Sequence, residues 1–436
     1  MNIAFDKRTL PNGLDVIIHE DHSLPIVAVN VWYHVGSKNE VPGRTGFAHL
    51  FEHLMFEGSQ HYDRGYFHPL QEAGAALNGS TNADRTNYWE VVPTNALDLA
   101  LWMESDRMGF LLPALTEAKF ANQRDVVLNE RRQNYENRPY GLAGMAIVAA
   151  LYPPDHPYHW LTIGAADDIR AAHIDDVRAF FQRYYHPANA SLTLAGDVDA
   201  AAGLQLAAQY FGDIAGGDRP APVQLATPLP PPQDLTLVIE DRVELPRLYM
   251  AWHSPALFAA GDAELDLVAE VLSSGKTSRL YRALVYEQRI ATEVAASQNS
   301  REAGSFFQIV ATAAPGRTLA EVERAIIKEL TVFLETGPTA KELDRCLAQA
   351  EAHFLFRLQT VGGFGGKSDQ LNAYNVFLGD PGYFEKDLDR YGSATADGLR
   401  NAAAAWLKLS NRVVLSVVPR GRVALALPGS QPVTVS

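Results

Sequence analysis

Cysteine is nearly absent: Cys346 is the single one in 436 residues. That excludes a disulfide framework and a cysteine-built zinc site within the chain, so any metal must sit on histidine and carboxylate. Basic residues are also short, 37 against 51 acids, for a formal charge of −14. Nucleic-acid partners need a basic face and are not expected; basic peptides are compatible with the charge. Long apolar runs are missing too. The longest, AGMAIVAALY at 143–152, falls far short of the roughly 20 residues of a membrane span. The opening MNIAFDKRTLPNG has no apolar stretch after its basic pair. A cytoplasmic protein is expected as the sequence stands, or a periplasmic one if a leader has been removed.

What is present is apolar residue at 47% spread over a length too great for one core, which predicts two or more domains. Proline and glycine crowd residues 216–234, GGDRPAPVQLATPLPPPQD, as in a stiff linker. The expected organisation is an N-terminal domain over 1–215, the linker 216–234, and a homologous C-terminal domain over 235–436. The halves repeat in outline. Strand-like LDVIIHED and PIVAVNVWYHVGS precede helical GFAHLFEHLMFEGS, and LTLVIEDRV and LPRLYMAWHSP precede AELDLVAEVLSSGKTSRLY. The β-rich runs at 86–94 and 304–312 each lead into a helix, followed by the long helical patterns 123–138 and 344–359. The fold class expected is α+β: two homologous domains, each a mostly antiparallel sheet with packed helices, forming a clamshell. A shift of 217 residues lays His49 on Asp266, Glu52 on Ala269 and His53 on Glu270, so the helix recurs without its histidines.

The segment HLFEHLMFEGS, 49–59, carries chemistry. Residues i and i+4 of a helix share a face, so His49 and His53 can hold one cation with Glu52 beside them. A catalytic zinc keeps an open position for water, and a neighbouring carboxylate can take that water's proton. Two readings stand at this point: a metal helix, or solvated histidines on an outer face. Leu50, Phe51, Leu54, Met55 and Phe56 favour a buried helix, in which paired histidines need a partner. Glu130 follows on a second helix and is, on its own, one acid among many.

His-x-x-Glu-His followed 77 positions after the second histidine by Glu130 resembles the inverted zincins, the pitrilysin or insulinase family of metallopeptidases. LPNGLDVII, LNGSTNADRTNYW, YYHPANASLTLAGDVD and SRLYRAL look like its recurring segments, most similar to the mitochondrial processing peptidase-like branch. The resemblance implies one Zn2+ per chain on His49, His53 and Glu130, with Glu52 as general base. It implies an edge strand through Asn78, Gly79, Ser80 and Thr81 that holds peptide by strand addition; the plain alternative is a turn at Asn78 and Gly79.

Two positions depart from the family. Gln123 stands where a supporting glutamate is common. An arginine and a tyrosine are expected over the substrate from the C-terminal half, where they bind the developing oxyanion. Arg301 lies in the right region, but Phe306 and Phe307 cannot donate and no tyrosine follows before Tyr374. The expected protein is therefore a zinc endopeptidase subunit for unfolded peptides, acting with a related subunit that supplies the pair, a self-sufficient homodimer or monomer being the alternative. A non-catalytic scaffold and a hydrolase of other substrates are the rival readings. The loop VGGFGGKSD, 361–369, either lines the cleft or is a plain loop. Asp167 and Asp168 mark a helix start or attract basic substrate. SSGKTSR and GGFGGKSD lack the first glycine of a phosphate loop.

Overall fold

The computed structural model describes residues 3–223 and 234–435. Most of the expected linker, 224–233, lies outside the described residues. The chain folds as two compact units: Met1–Asn129, Thr162–Gln224 and Phe354–Lys386 in one, Glu130–Leu161, Leu225–His353 and Asp387–Ser436 in the other. Each unit is thus completed by a segment from the opposite half of the chain.

The first unit is built on strands β1 (Asp6–Thr9), β2 (Asp15–Glu20), β3 (Ile26–Tyr33), β4 (Ala76–Thr81), β5 (Thr86–Pro93) and β6 (Ala190–Gly196). They lie in the order β1-β2-β6-β3-β5-β4, antiparallel except for the β2–β6 pair. The second has β7 (Leu235–Asp241), β8 (Arg247–Ser254), β9 (Ala291–Asn299), β10 (Ser305–Ala313), β11 (Val413–Pro419) and β12 (Gln431–Pro432). Their order is β12-β7-β11-β8-β10-β9. From β2 to β4 and from β7 to β9 the two orders are the same path, with the parallel pair at the same place. Helices pack on both sheets, and the α+β duplication read from the sequence is the architecture observed.

Alternation along the buried β3 divides its side chains between two faces. Val27, Val29, Val31 and Tyr33 form one face, and Ala28, Asn30 and Trp32 the other. The second face is polar and is satisfied by the helix Lys367–Leu378. Asp369 Oδ1 accepts from Trp32 Nε1 at 2.9 Å and Asn87 Nδ2 at 3.1 Å; Asn372 accepts from Thr193 Oγ1 and donates to Asn30 O, both at 2.8 Å. Such polar pairings restrict one helix to one register, because a displaced helix would leave buried amides unpaired. The glycine loop ahead of it lies flat on this face. A Cβ at Gly362 would come within 2.5 Å of Val91 and 2.7 Å of Ala28.

In the second unit the helix Ala143–Leu151 packs on β8 and β11, and the chain beyond it is locked by aromatic contacts. Tyr152 donates its hydroxyl to Gly304 O at 3.0 Å, and Tyr158 accepts the Ala303 N–H at 2.9 Å. His156 is stacked on Tyr152, and burial pulls its pKa down from 6.5 to about 4, with nearby His253 in support. The native state keeps His156 neutral while an unfolded chain takes a proton below about 6.5, so its contribution is complete above that pH and lost toward pH 4. We expect the melting temperature to fall across this window, and His156→Gln to flatten the fall, as read by thermal denaturation at stepped pH.

Candidate metal centre

The histidine helix spans Phe47–Leu54, shorter than the helical pattern 46–59. Phe47, Ala48, Leu50, Phe51 and Leu54 are buried, which turns His49, Glu52 and His53 together onto the remaining, half-buried face. Burying a large apolar side chain contributes about 1.5–3 kcal/mol, so rotating the helix to hide the histidines instead would forfeit several such contributions. Phe51 sits among Phe180, Phe181 and Tyr185, with ring centroids 5.1–5.8 Å away.

Its N-terminus is pinned by two acids. Glu40 accepts the N–H groups of Gly46 and Ala48, each at 2.9 Å. Asp168 accepts from Thr45 N at 3.1 Å and Thr45 Oγ1 at 2.7 Å, and Thr45 Oγ1 in turn accepts Ala165 N–H at 2.8 Å. Gly46 has φ 89°, a left-handed conformation that permits this tight entry. Glu40 satisfies donors at the helix start that have no intrahelical partner, Asp168 holds the residue that leads into it, and both charges complement the positive end of the helix. Asp167 and Asp168 do open a helix, Ala166–Ala171, and Asp168 is spent on this cap rather than on an outside ligand.

The second helix runs Glu117–Arg131 and carries Glu130 on its last turn; the boundary between the two compact units falls within it. One donor atom each from His49, His53 and Glu130 lie within 4.8 Å of one another. The imidazole rings cross at 86° with centroids 4.9 Å apart, and Asn134 Nδ2 donates to Glu130 Oε1 at 3.3 Å. In a tetrahedral zinc site, ligand distances near 2.0–2.1 Å separate donors by roughly 3.3 Å. Small side-chain rotations cover the difference, and two imidazoles with a carboxylate are a donor set that suits Zn2+ and leaves a position open. Gln123, in place of the common glutamate, donates to Glu57 one turn beyond His53.

Asn78, Gly79, Ser80 and Thr81 all lie in β4, the last strand of its sheet, not in a turn. The hairpin closes with Asn82 N–H on Arg85 O at 3.0 Å, and alternation from that pair turns the backbone groups of Leu77, Gly79 and Thr81 outward. The Gly79 N–H meets the side-chain oxygen of Asn78 at 2.8 Å, a plug on the open edge. Only glycine fits there, since a Cβ would come within 2.9 Å of Tyr88 and 3.1 Å of Phe56. Arg85 donates to Ser80 O at 2.8 Å and braces the hairpin. Burial lowers its pKa, opposed by the negative charges of Asp369, Glu52 and Asp84. Neither Glu40 nor Arg85 stands out in the sequence: both act through folded geometry, and no spacing pattern marks them.

Arg301, in the second unit, stacks over Tyr158 at 5.1 Å and Phe306 at 5.0 Å. The tyrosine beside it therefore precedes it in the chain, and its hydroxyl is occupied by Ala303.

The sequence profile described as Insulinase (Peptidase family M16) matches residues 15–154, and that of the Peptidase M16 inactive domain matches 172–350. A Helicobacter pylori protein named zinc protease PqqE is 30% identical over 388 residues, 87% of this chain and 86% of its own length. The chain belongs to peptidase family M16. A crystal structure of a protease from Helicobacter pylori superposes with a TM-score of 0.87 at 27% identity, over 95% of this chain and 100% of that one. A Bacillus subtilis protein named uncharacterized zinc protease YmxG is 22% identical over 420 residues, 96% of this chain and 99% of its own length. The second profile is described as an inactive domain, and the spacing of His49, Glu52 and His53 does not recur in the residues it matches. Asp266, the counterpart of His49, accepts a hydrogen bond from the Tyr391 hydroxyl at 2.9 Å. No described helix is long and apolar enough to cross a membrane.

Because Glu40 fixes the start of the histidine helix, Glu40→Ala should cost about 1–3 kcal/mol of stability and weaken zinc binding. Urea unfolding and competition against a chromogenic chelator measure the two effects.

Proposed function

We propose that this M16 chain is a zinc-dependent endopeptidase subunit that cleaves unfolded peptides held as an added strand on β4. The observation that carries the reading is the convergence of His49, His53 and Glu130 within 4.8 Å, with Glu52 on the same helix face as the histidines. Zinc on this donor set supplies Lewis acidity toward a carbonyl oxygen and lowers the pKa of a water molecule to about 7. Glu52 accepts the proton of the attacking water and returns it to the departing amine nitrogen. His49 and His53, carried one turn apart on a helix anchored at its N-terminus, reach a shared ion by small side-chain rotations with the backbone held in place.

Peptide enters by exchanging the Asn78 side chain for its own carbonyl on the Gly79 N–H, and pairs with the outward groups of Leu77, Gly79 and Thr81. Strand pairing needs extended backbone, so folded proteins are excluded and sequence preference is left to side-chain pockets. A related partner subunit supplies the arginine and tyrosine that steady the oxyanion. The engagement of Arg301 with Tyr158 and of the Tyr158 hydroxyl with Ala303 supports that division of labour.

Mass-spectrometric cleavage of a mixed peptide library tests the proposal. With the partner present, zinc-dependent cleavage is expected, reduced about 100- to 10,000-fold by Glu52→Gln. Cleavage by the chain alone would remove the partner from the account, and cleavage undiminished by Glu52→Gln would overturn the base assignment.

A further inference from the structure

The second unit contains a cavity of about 1060 Å³ beside the turn that follows the helix Asp262–Ser273. The helices Tyr281–Glu287, Leu319–Thr336 and Ala340–Arg357 supply its other walls. Five lining side chains are cationic, Lys276, Arg279, Arg282, Lys341 and Arg345, against the carboxylates Glu329 and Glu342. In a chain with 51 acids and 37 bases, this local excess runs against the field of the whole protein.

Only part of the positive charge is met from within. Arg279 takes the Glu342 carboxylate side-on, through Nε at 2.8 Å and Nη2 at 2.7 Å. Arg345 donates Nη1 to Thr277 Oγ1 at 3.1 Å, but its Nε and Nη2 are shielded from solvent and have no oxygen acceptor, with only the neighbouring Cys346 thiol interacting with the guanidinium. A buried guanidinium edge without an acceptor is costly, and planar carboxylates fit that edge with both oxygens. Arg279 shows this pairing in the same cavity. Lys276 and Lys341 are exposed and make no ion pair among the described residues.

We propose that this cavity binds an acidic peptide segment, one carboxylate of which pairs with the Nε–Nη2 edge of Arg345 while Lys276 and Lys341 take its neighbours. Thr277 lies on an exposed turn after Gly275, whose φ is 74°, so it can release Nη1 and let the guanidinium turn toward the ligand. The volume is at the upper end of small-molecule pockets and admits several residues rather than one carboxylate. Tyr286, 74% exposed, and Val332 offer apolar surface for the peptide between its charges.

The test is fluorescence anisotropy of labelled hexaglutamate at low salt, in the Glu52→Gln protein so that the probe stays intact whatever the metal centre does. Saturable binding of one peptide per chain is expected, at least tenfold weaker in Arg345→Leu and in the Lys276→Glu, Lys341→Glu double variant. Both lysines are exposed, so the double variant tests charge without disturbing the core. Hexaglutamine should not bind. Binding equal in the double variant, no saturable binding, or displacement by inorganic phosphate as readily as by unlabelled hexaglutamate would overturn the proposal.

Discussion

The candidate metal centre depends on helical periodicity. Burial of Phe47, Leu50, Phe51 and Leu54 chooses the rotation of one short helix, and that rotation turns His49, Glu52 and His53 to the same side. A helix of eight residues is marginal alone, so its stability comes from packing and from the Glu40 and Asp168 carboxylates at its start. The geometry of the candidate site is therefore a by-product of core packing, supported by the polar groups at the start of its helix.

Duplication explains the rest of the architecture. Both sheets follow one strand path, and both long helices after the second hairpin begin with a threonine side chain accepting the N–H three residues on, Thr116 from Lys119 and Thr339 from Glu342. On the shared frame the chemistry has diverged. At the helix faces equivalent to His49 and His53 stand Asp266 and Glu270, and the Asp266–Tyr391 bond gives the copy a structural use. Lys119 pairs with Asp63, whereas Glu342 at the matching position pairs with Arg279, a reversal of charge on an unchanged helix start.

Much of this was legible in the residues. Alternating and 3.6-residue apolar patterns located the strands to within a few positions, because burial on one face governs them, whereas the helix read at 123–138 runs Glu117–Arg131. The histidine spacing put His49 and His53 on one helix face for the same reason. Helix ends were less legible: the pattern 263–281 reads as continuous, but the helix stops at Ser273, where Gly275 takes a left-handed turn. The pairing of Arg301 with Tyr158 was hidden because the tyrosine comes from a segment 143 positions earlier in the chain, recruited to the second unit. The exchange of segments between the two units leaves no composition signal, since a helix with polar residues such as Asn372 on a buried face resembles a surface helix until its partner sheet is known.

Zinc titration of metal-free protein, followed by X-ray absorption of the loaded form, tests the central claim most directly. The account predicts one zinc per chain with two imidazole nitrogens and a carboxylate oxygen in its shell, no stoichiometric binding in His53→Ala, and a loss of the carboxylate oxygen in Glu130→Gln. Full-strength zinc binding by His53→Ala, or an unchanged shell in Glu130→Gln, would contradict it.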